Sequence, residues 1–328
     1  NRLVESGHEI TVYYLYGSML ENSGLPNIIR KLIVKVYGEL IGPNRWYRLD
    51  RRIKKKVIPS AQKIGKGDIV IATAVQTAGM VKELPNICGR KVYFIQDFEN
   101  WTVSSEEVLK TYNYDMRKIV VSNWLKNLVD KNSKERSYIV SNCIDTRVFY
   151  VTGKKRNLHS IVFHYRNGLY KGGIYAFKVI EMLHLKYPDL VVNMITTEKE
   201  IPEIPNYFNV FKNINQSKVA EINNVSQVFM CTTIDEGFGL PGLEAMACGC
   251  AVVSTSYKGV LEYAVDGSNA LLSPVKDVER MTENIVKIFE NDSVRKTIID
   301  NGIKTGKERS LEKSARKFEN ILLNIIKE

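Results

Sequence analysis

Residues 232–249 read TTIDEGFGLPGLEAMACG. A β-rich run, QVFMCTT (227–233), leads into them, and a helical pattern, LPGLEAMA (240–247), lies within them. Strand, glycine turn and helix in that order form the repeating unit of a parallel sheet whose crossover helices cover both faces. The stretch supports two readings of its chemistry. Gly237, Gly239 and Gly242 match G-x-G-x-x-G, the pattern that brings a dinucleotide pyrophosphate to a helix N-terminus. Glu236 and Glu244 instead supply two carboxylates with seven residues between them.

The dinucleotide reading needs an acid at the end of the next strand to hold a ribose. That strand, AVVST (251–255), runs into Ser254, Thr255 and Ser256, and Glu262 falls well beyond it. The carboxylate reading uses more of the stretch. Pro241 sits near the first helical position, where its missing N–H costs nothing. The amides of Phe238, Gly239 and Leu240 then point out of a helix end that attracts anions. Glycines at 237 and 239 let a ligand approach the backbone closely. Carboxylates beside an anion site suit sugar hydroxyls, while the amides and nearby cations hold phosphate. FHYRNGLYKGG (163–173) supplies the cations: Arg166 and Lys171 stand five residues apart across a turn. Arginine offers phosphate a planar fork and lysine a point charge. His164 reads as a strand-end residue.

The same alternation runs along the chain. Strand patterns occupy 9–16, 68–74, 91–96, 118–122 and 136–142, with helical patterns at 104–113 and 123–132. After a polar, basic break at 151–159, read as a linker, strand patterns return at 160–165, 190–197, 208–213, 227–233 and 251–255. Helical patterns at 172–187 and 217–226 separate them, and from 276 the chain is helical and charged. This predicts an α/β protein of two doubly wound, Rossmann-like domains facing a cleft. The domains are expected at 1–150 and 151–308, with a C-terminal helix at 309–328. NRLVESGHEITV (1–12) reads as a helix end, a glycine turn and a strand, so the first strand of that domain is expected upstream of Asn1.

Composition bounds the function. The 328 residues are 44% hydrophobic and 25% charged, as in ordinary globular domains, and the five cysteines form no CxxC pair. Cys248 and Cys250 read as small packing residues, and a reducing cytoplasm fits. The net charge of +11 is uneven: residues 1–66 hold 13 Lys/Arg against 5 Asp/Glu. Within them NRWYRLDRRIKKK (44–56), with Trp46 and Tyr47, reads either as a solvated helix face or as a contact for an anionic membrane surface. No zinc-finger, RRM or KH signature supports a nucleic-acid partner.

Arg166-x4-Lys171-Gly172 followed by Glu236-x7-Glu244 resembles the retaining nucleotide-sugar glycosyltransferases of family 4, which have the two-domain GT-B fold. SNCIDTRVF (141–149) resembles their N-G-[VI]-D-x-x-x-F segment before the linker, and EYAVDGSNALLSP (262–274) their region after the donor loop. The resemblance implies that Glu236 contacts the donor sugar and that the amides of Gly237, Phe238 and Gly239 touch its hydroxyls and phosphates. It implies that Glu244 holds the ribose, and that Arg166 and Lys171 bind the diphosphate without a metal or a cofactor. The helix at 309–328 is expected to return to the first domain. Where many relatives carry a histidine after the fourth strand, VYFIQDFENW (92–101) has Gln96 and Asp97, a pattern similar to a subgroup that includes bacterial rhamnosyltransferases of surface glycans. Asp97 is either a group that orients the acceptor hydroxyl or sugar, or a turn cap.

The expected activity is transfer of a hexose or deoxyhexose, rhamnose among the options, from a nucleoside diphosphate to a surface glycan or lipid-linked acceptor. The expected location is the cytoplasm, peripheral on the inner face of the cell membrane. Two other classes stay open on the residues alone: a catalytically inactive sugar-nucleotide-binding partner subunit, and a sugar-nucleotide epimerase of similar architecture.

Overall fold

The computed structural model describes residues 1–16, 24–37 and 49–328. They form two compact units. One comprises Asn1–Val121, Leu125–Val140 and Ala315–Glu328, the other Ser122–Trp124 and Ser141–Ser314. The division falls at 140/141 rather than 150/151, and the C-terminal residues from 315 belong with the first unit.

In the first unit Arg2–Glu5 is helical, Gly7 turns the chain at φ +94°, and β1 (Thr11–Leu15) pairs in parallel with β2 (Lys54–Ile58). A second parallel sheet has the order β3 (Ile69–Ala72), β4 (Arg90–Ile95), β5 (Arg117–Val120), β6 (Tyr138–Ile139). The helix Ser105–Thr111 begins where the sequence signals it. Ser104 Oγ accepts from the Glu107 amide at 3.2 Å while Glu107 accepts from the Ser104 amide at 3.0 Å, a capping box. One face of this sheet is closed by the C-terminal helix Leu311–Lys327. Its Ile321, Leu322 and Ile325 pack on Val92, Ile119 and Val140, and the Phe318 ring meets Phe94 at 5.5 Å.

One expectation is corrected here. Lys54, Lys55 and Lys56 lie in β2, not on a helix face, because Lys54 through Ile58 extend beside Thr11 through Leu15 and Lys54 Nζ reaches the Glu9 carboxylate at 2.7 Å. Residues 44–48, with Trp46 and Tyr47, lie outside the described residues.

The second unit holds one six-stranded, all-parallel sheet in the order β12-β11-β10-β7-β8-β9. The strands are β7 (Ser160–Tyr165), β8 (Val191–Thr196), β9 (Phe208–Lys212), β10 (Val228–Cys231), β11 (Ala251–Thr255) and β12 (Leu271–Ser273). The mainly apolar runs of the inner strands reflect burial on both faces, while the edge strand β9 (FNVFK) is partly exposed. Alternate residues serve opposite cores. Val162, Phe229 and Val252 face the helices Gln216–Val225 and Leu240–Ala247, while Ile161, Val228, Met230 and Val253 face Gly173–Lys186 and Val278–Glu290. Cys248 and Cys250 are buried in the first of these cores, where burial pushes both thiols up to about 12.

The 151–159 segment is irregular but not free. Arg156 donates to the carbonyls of Asn223, Ser226 and Cys248, and the Thr152 amide donates to Asn224 Oδ1 at 2.8 Å. These bonds give the segment to the second unit. Ten residues earlier, Ser314 Oγ donates to the Ser141 carbonyl at 3.1 Å, a bond within the second unit.

Candidate active site

From β7 the chain steps outward to β8 and β9. From β10 it steps the other way, to β11 and β12. The carboxyl ends of β7 and β10 therefore flank a topological switch point, where open α/β sheets leave a crevice for ligands. Arg166 follows β7 directly, and the loop carrying Glu236 follows β10.

The two loops are fastened to each other. Thr232 Oγ1 donates to the Gly172 carbonyl at 2.9 Å and the Ile234 amide to the Tyr170 carbonyl at 2.8 Å. Gly172 has φ +68°, and a Cβ there would lie 1.9 Å from the Thr232 carbonyl oxygen. Backbone cannot retreat as a flexible side chain does. Gly172→Ala should thus lower unfolding free energy by at least about 2 kcal/mol, combining left-handed strain with a parted loop contact. Denaturant unfolding checks this, and an unshifted midpoint would show the loops to be independent.

Between the loops lies a pocket of about 260 Å³ whose lining includes Arg166, Lys171, Glu236, Gly239, Pro241 and Tyr257. Arg166 Nη1 is buried there and has no hydrogen-bond partner among the described residues. A buried unpaired guanidinium N–H costs about 1–3 kcal/mol, so the site favours a ligand that accepts from it. Lys171 Nζ stands 3.8 Å from Glu236 Oε1, with both side chains about one-third exposed. At that distance and exposure the pair is weakly held, so Lys171 can turn to a ligand. His164 also lines the pocket. Burial, then the adjacent Arg166, holds its imidazole down at about 4, so it is neutral at pH 7, and its Nε2 is unpaired among the described residues.

Two tyrosines that sequence reasoning missed shape the glycine loop. Gly239 has φ +85° and begins the helix Leu240–Ala247. A Cβ on it would meet Tyr257 Oη at 1.8 Å, and one on Gly242 would meet Tyr263 Oη at 2.4 Å. Tyr263 Oη donates to the Gly239 carbonyl at 2.7 Å. Gly239 and Gly242 are thus required by buried tyrosines packed under the turn. The one available signal was an aromatic residue following β11. Glu262, the acid tested for a dinucleotide ribose, is engaged elsewhere. It accepts from the Asn123 amide at 2.6 Å and from Asn123 Nδ2 at 2.9 Å. Trp124 Nε1 donates to the Gly237 carbonyl at 3.0 Å.

The remaining predicted residues are distributed as follows. Phe238 turns its ring into the core against Tyr263, at 5.4 Å between centroids, leaving only its backbone for a ligand. Leu240 is half-buried at the first turn of the helix. Glu244 is half-buried within that helix, outside the lining of the pocket, and burial pushes its carboxyl up to about 7. Gln96 and Asp97 follow β4 in the first unit. Gln96 Nε2 donates to the Thr73 carbonyl at 3.3 Å, and Asp97 Oδ1 accepts from the Phe98 amide at 2.8 Å. Glu99 in the same loop accepts from the Val75 amide at 2.5 Å, and burial raises its pKa.

Glu244 makes stability depend on pH. Its folded pKa, about 7, exceeds the ordinary 4.5. Its stabilising share is therefore full below pH 4.5 and lost as pH rises through about 7, by up to about 3 kcal/mol. Glu244→Gln should accordingly gain on the wild type between pH 5 and pH 8. Thermal unfolding of both proteins at both values measures it, and an equal gap in melting temperature at the two values would place that carboxyl in an ordinary environment.

Comparison with known proteins accords with this architecture. Residues 171–305 match the family model of the glycosyl transferases group 1. An uncharacterized glycosyltransferase of Methanocaldococcus jannaschii is 28% identical over 206 residues, 60% of this chain and 56% of that protein. The capsular polysaccharide biosynthesis glycosyltransferase CapM of Staphylococcus aureus is 29% identical over 137 residues, 40% of this chain and 36% of CapM. The chain thus spans about half or less of these curated relatives. Among solved structures, Anabaena HepE in complex with UDP superposes with a TM-score of 0.71 at 14% identity, over 83% of this chain and 87% of that one. The fold is that of the GT-B glycosyltransferases, and the match to the group 1 family is confined to residues 171–305.

Proposed function

We propose that this protein is a metal-independent, retaining glycosyltransferase that moves a hexose or deoxyhexose from a nucleoside diphosphate to a growing cell-surface glycan or lipid-linked acceptor. The observation that carries the reading is Arg166 Nη1, buried and unpaired among the described residues, beside Lys171 and Glu236 at the switch point. In this reading the two cations and the N-terminal amides of the helix Leu240–Ala247 receive the diphosphate. They stabilise the charge that builds on it as the glycosidic bond breaks. Glu236 faces the sugar, where its carboxylate stabilises an oxocarbenium-like centre. The acceptor attacks from the face the diphosphate leaves, so the configuration is retained. Glu244 holds the ribose, and Gln96 and Asp97 orient sugar or acceptor.

UDP is the favoured nucleotide, because the fold neighbour was captured with it. A surface glycan as acceptor is supported by the likeness to CapM, and rhamnose by the Q-D-[FY]-E pattern at residues 96–99. The reading places the enzyme on the cytoplasmic side of the cell membrane. The test is a thermal-shift screen of UDP-, GDP- and dTDP-sugars, followed by donor turnover and the anomeric configuration of the product by NMR. Stabilisation by one nucleotide with slow sugar release as the retained anomer is expected. Binding without turnover would favour a non-catalytic partner subunit, and an inverted product would overturn the mechanism.

A further inference from the structure

The helix Asn27–Val36 of the first unit, NIIRKLIVKV, is inside out. Val34 is its one buried residue. Ile28 is 82% exposed, Leu32 61%, and Ile29, Ile33, Val36 and the following Tyr37 between 41% and 44%. At 3.6 residues per turn these six side chains occupy one arc of about half the circumference, opposite Val34. Lys31 and Lys35 line one edge of that arc and Arg30 the other. The helix packs beside β2, which brings Lys54, Lys55 and Lys56 alongside.

A contiguous apolar face on a surface helix marks something that covers it. Two features of the site identify the cover. The residues flanking the arc on the helix are cationic, and neither the helix nor β2 contains an acidic residue, although Lys54 of β2 is paired with Glu9. And ten residues make a helix about 15 Å long, half of what spans a bilayer, so it would lie in the interface rather than cross it. An apolar arc flanked by lysines whose stems reach toward headgroups is the pattern of a helix lying in the plane of a membrane surface. A second copy fits less well. A two-fold interface sets the same patch against itself, which would oppose the lysines of β2 and of the helix. One short helix also offers far less than the roughly 800 Å² per partner of a stable dimer.

We propose that Asn27–Val36 docks the first unit on an anionic lipid bilayer, with Ile28, Ile29, Leu32, Ile33 and Val36 in the acyl boundary and Lys31 and Lys35 on the headgroups. This shifts the membrane contact from the 44–56 stretch to a helix before it, and it stands whatever sugar the second unit handles.

The test is flotation of the full chain with phosphatidylcholine vesicles, with and without one-quarter phosphatidylglycerol, at 0.1 and 0.5 M salt. Binding should require the anionic lipid and weaken with salt, because screening acts over about 10 Å at 0.1 M and less above it. Ile28→Ser/Leu32→Ser should lower partitioning at least tenfold with an unchanged melting temperature. Lys31→Gln/Lys35→Gln, which keeps the apolar arc, should flatten the salt dependence. Equal binding to both kinds of vesicle overturns the proposal, as does undiminished binding of the Ser variant. So does a concentration-dependent dimer in sedimentation that the Ser variant abolishes, since a second copy would then cover the face.

Discussion

Arg166→Ala should weaken UDP about 10- to 100-fold and leave uridine affinity unchanged. The magnitude follows from losing a charge-assisted contact to phosphate, worth about 1.5–3 kcal/mol, at about 1.4 kcal/mol per tenfold. The same substitution has a second signature. In the free protein Arg166 Nη1 is already a buried donor without a partner among the described residues, so removing it should leave the unfolding free energy unchanged or raise it. A residue that held the fold together would do the opposite. Lys171→Ala should cost less, since its side chain is 38% exposed and its ammonium already shared with Glu236 at 3.8 Å. Calorimetry with UDP and uridine, beside denaturant unfolding, reads both signatures. Equal losses for UDP and uridine would mean that Arg166 does not meet the diphosphate.

What the sequence made legible was periodicity and chemistry at short range. The five β-rich runs from 160–165 to 251–255 became β7 to β11, because the inner strands, buried on both faces, are largely apolar. Arg166, Lys171 and Glu236 were readable as a set because all three follow strand ends of one sheet, and the fold brings those ends together. β2 was not legible: three consecutive lysines spell solvent, and only pairing with β1 makes them a strand. β12 is three residues long, too short for any pattern. The reason for Gly239 and Gly242 lay in Tyr257 and Tyr263, fifteen or more residues away in sequence and in contact only after folding. NIIRKLIVKV shows an apolar stripe in sequence, but a stripe does not say which way it faces. Val34 alone points inward.

Glu236→Gln should cut sugar transfer by two to three orders of magnitude while UDP binds as well as before, or slightly better. The substitution keeps the shape of the side chain and removes only its charge. That charge matters where a cationic sugar centre develops, not where an anionic diphosphate rests. It also frees Lys171 from its ion pair. Glu244 should behave in the opposite way. Ribose hydroxyls donate to a carboxylate, and burial leaves this one poised near pH 7. UDP should therefore bind more tightly as pH rises through about 7, and Glu244→Gln should flatten that rise. Glu244→Ala should weaken donor and UDP alike, by about 1–3 kcal/mol, with little effect on turnover at saturation. The two carboxylates of one stretch thus separate into a group read by rate and a group read by affinity. Initial rates and calorimetry across pH 6–8 resolve them. If Glu236→Gln abolishes UDP binding while Glu244→Ala leaves it untouched, the roles are reversed. If neither variant changes rate or affinity, the loop is a tyrosine-packed turn and the ligand lies elsewhere.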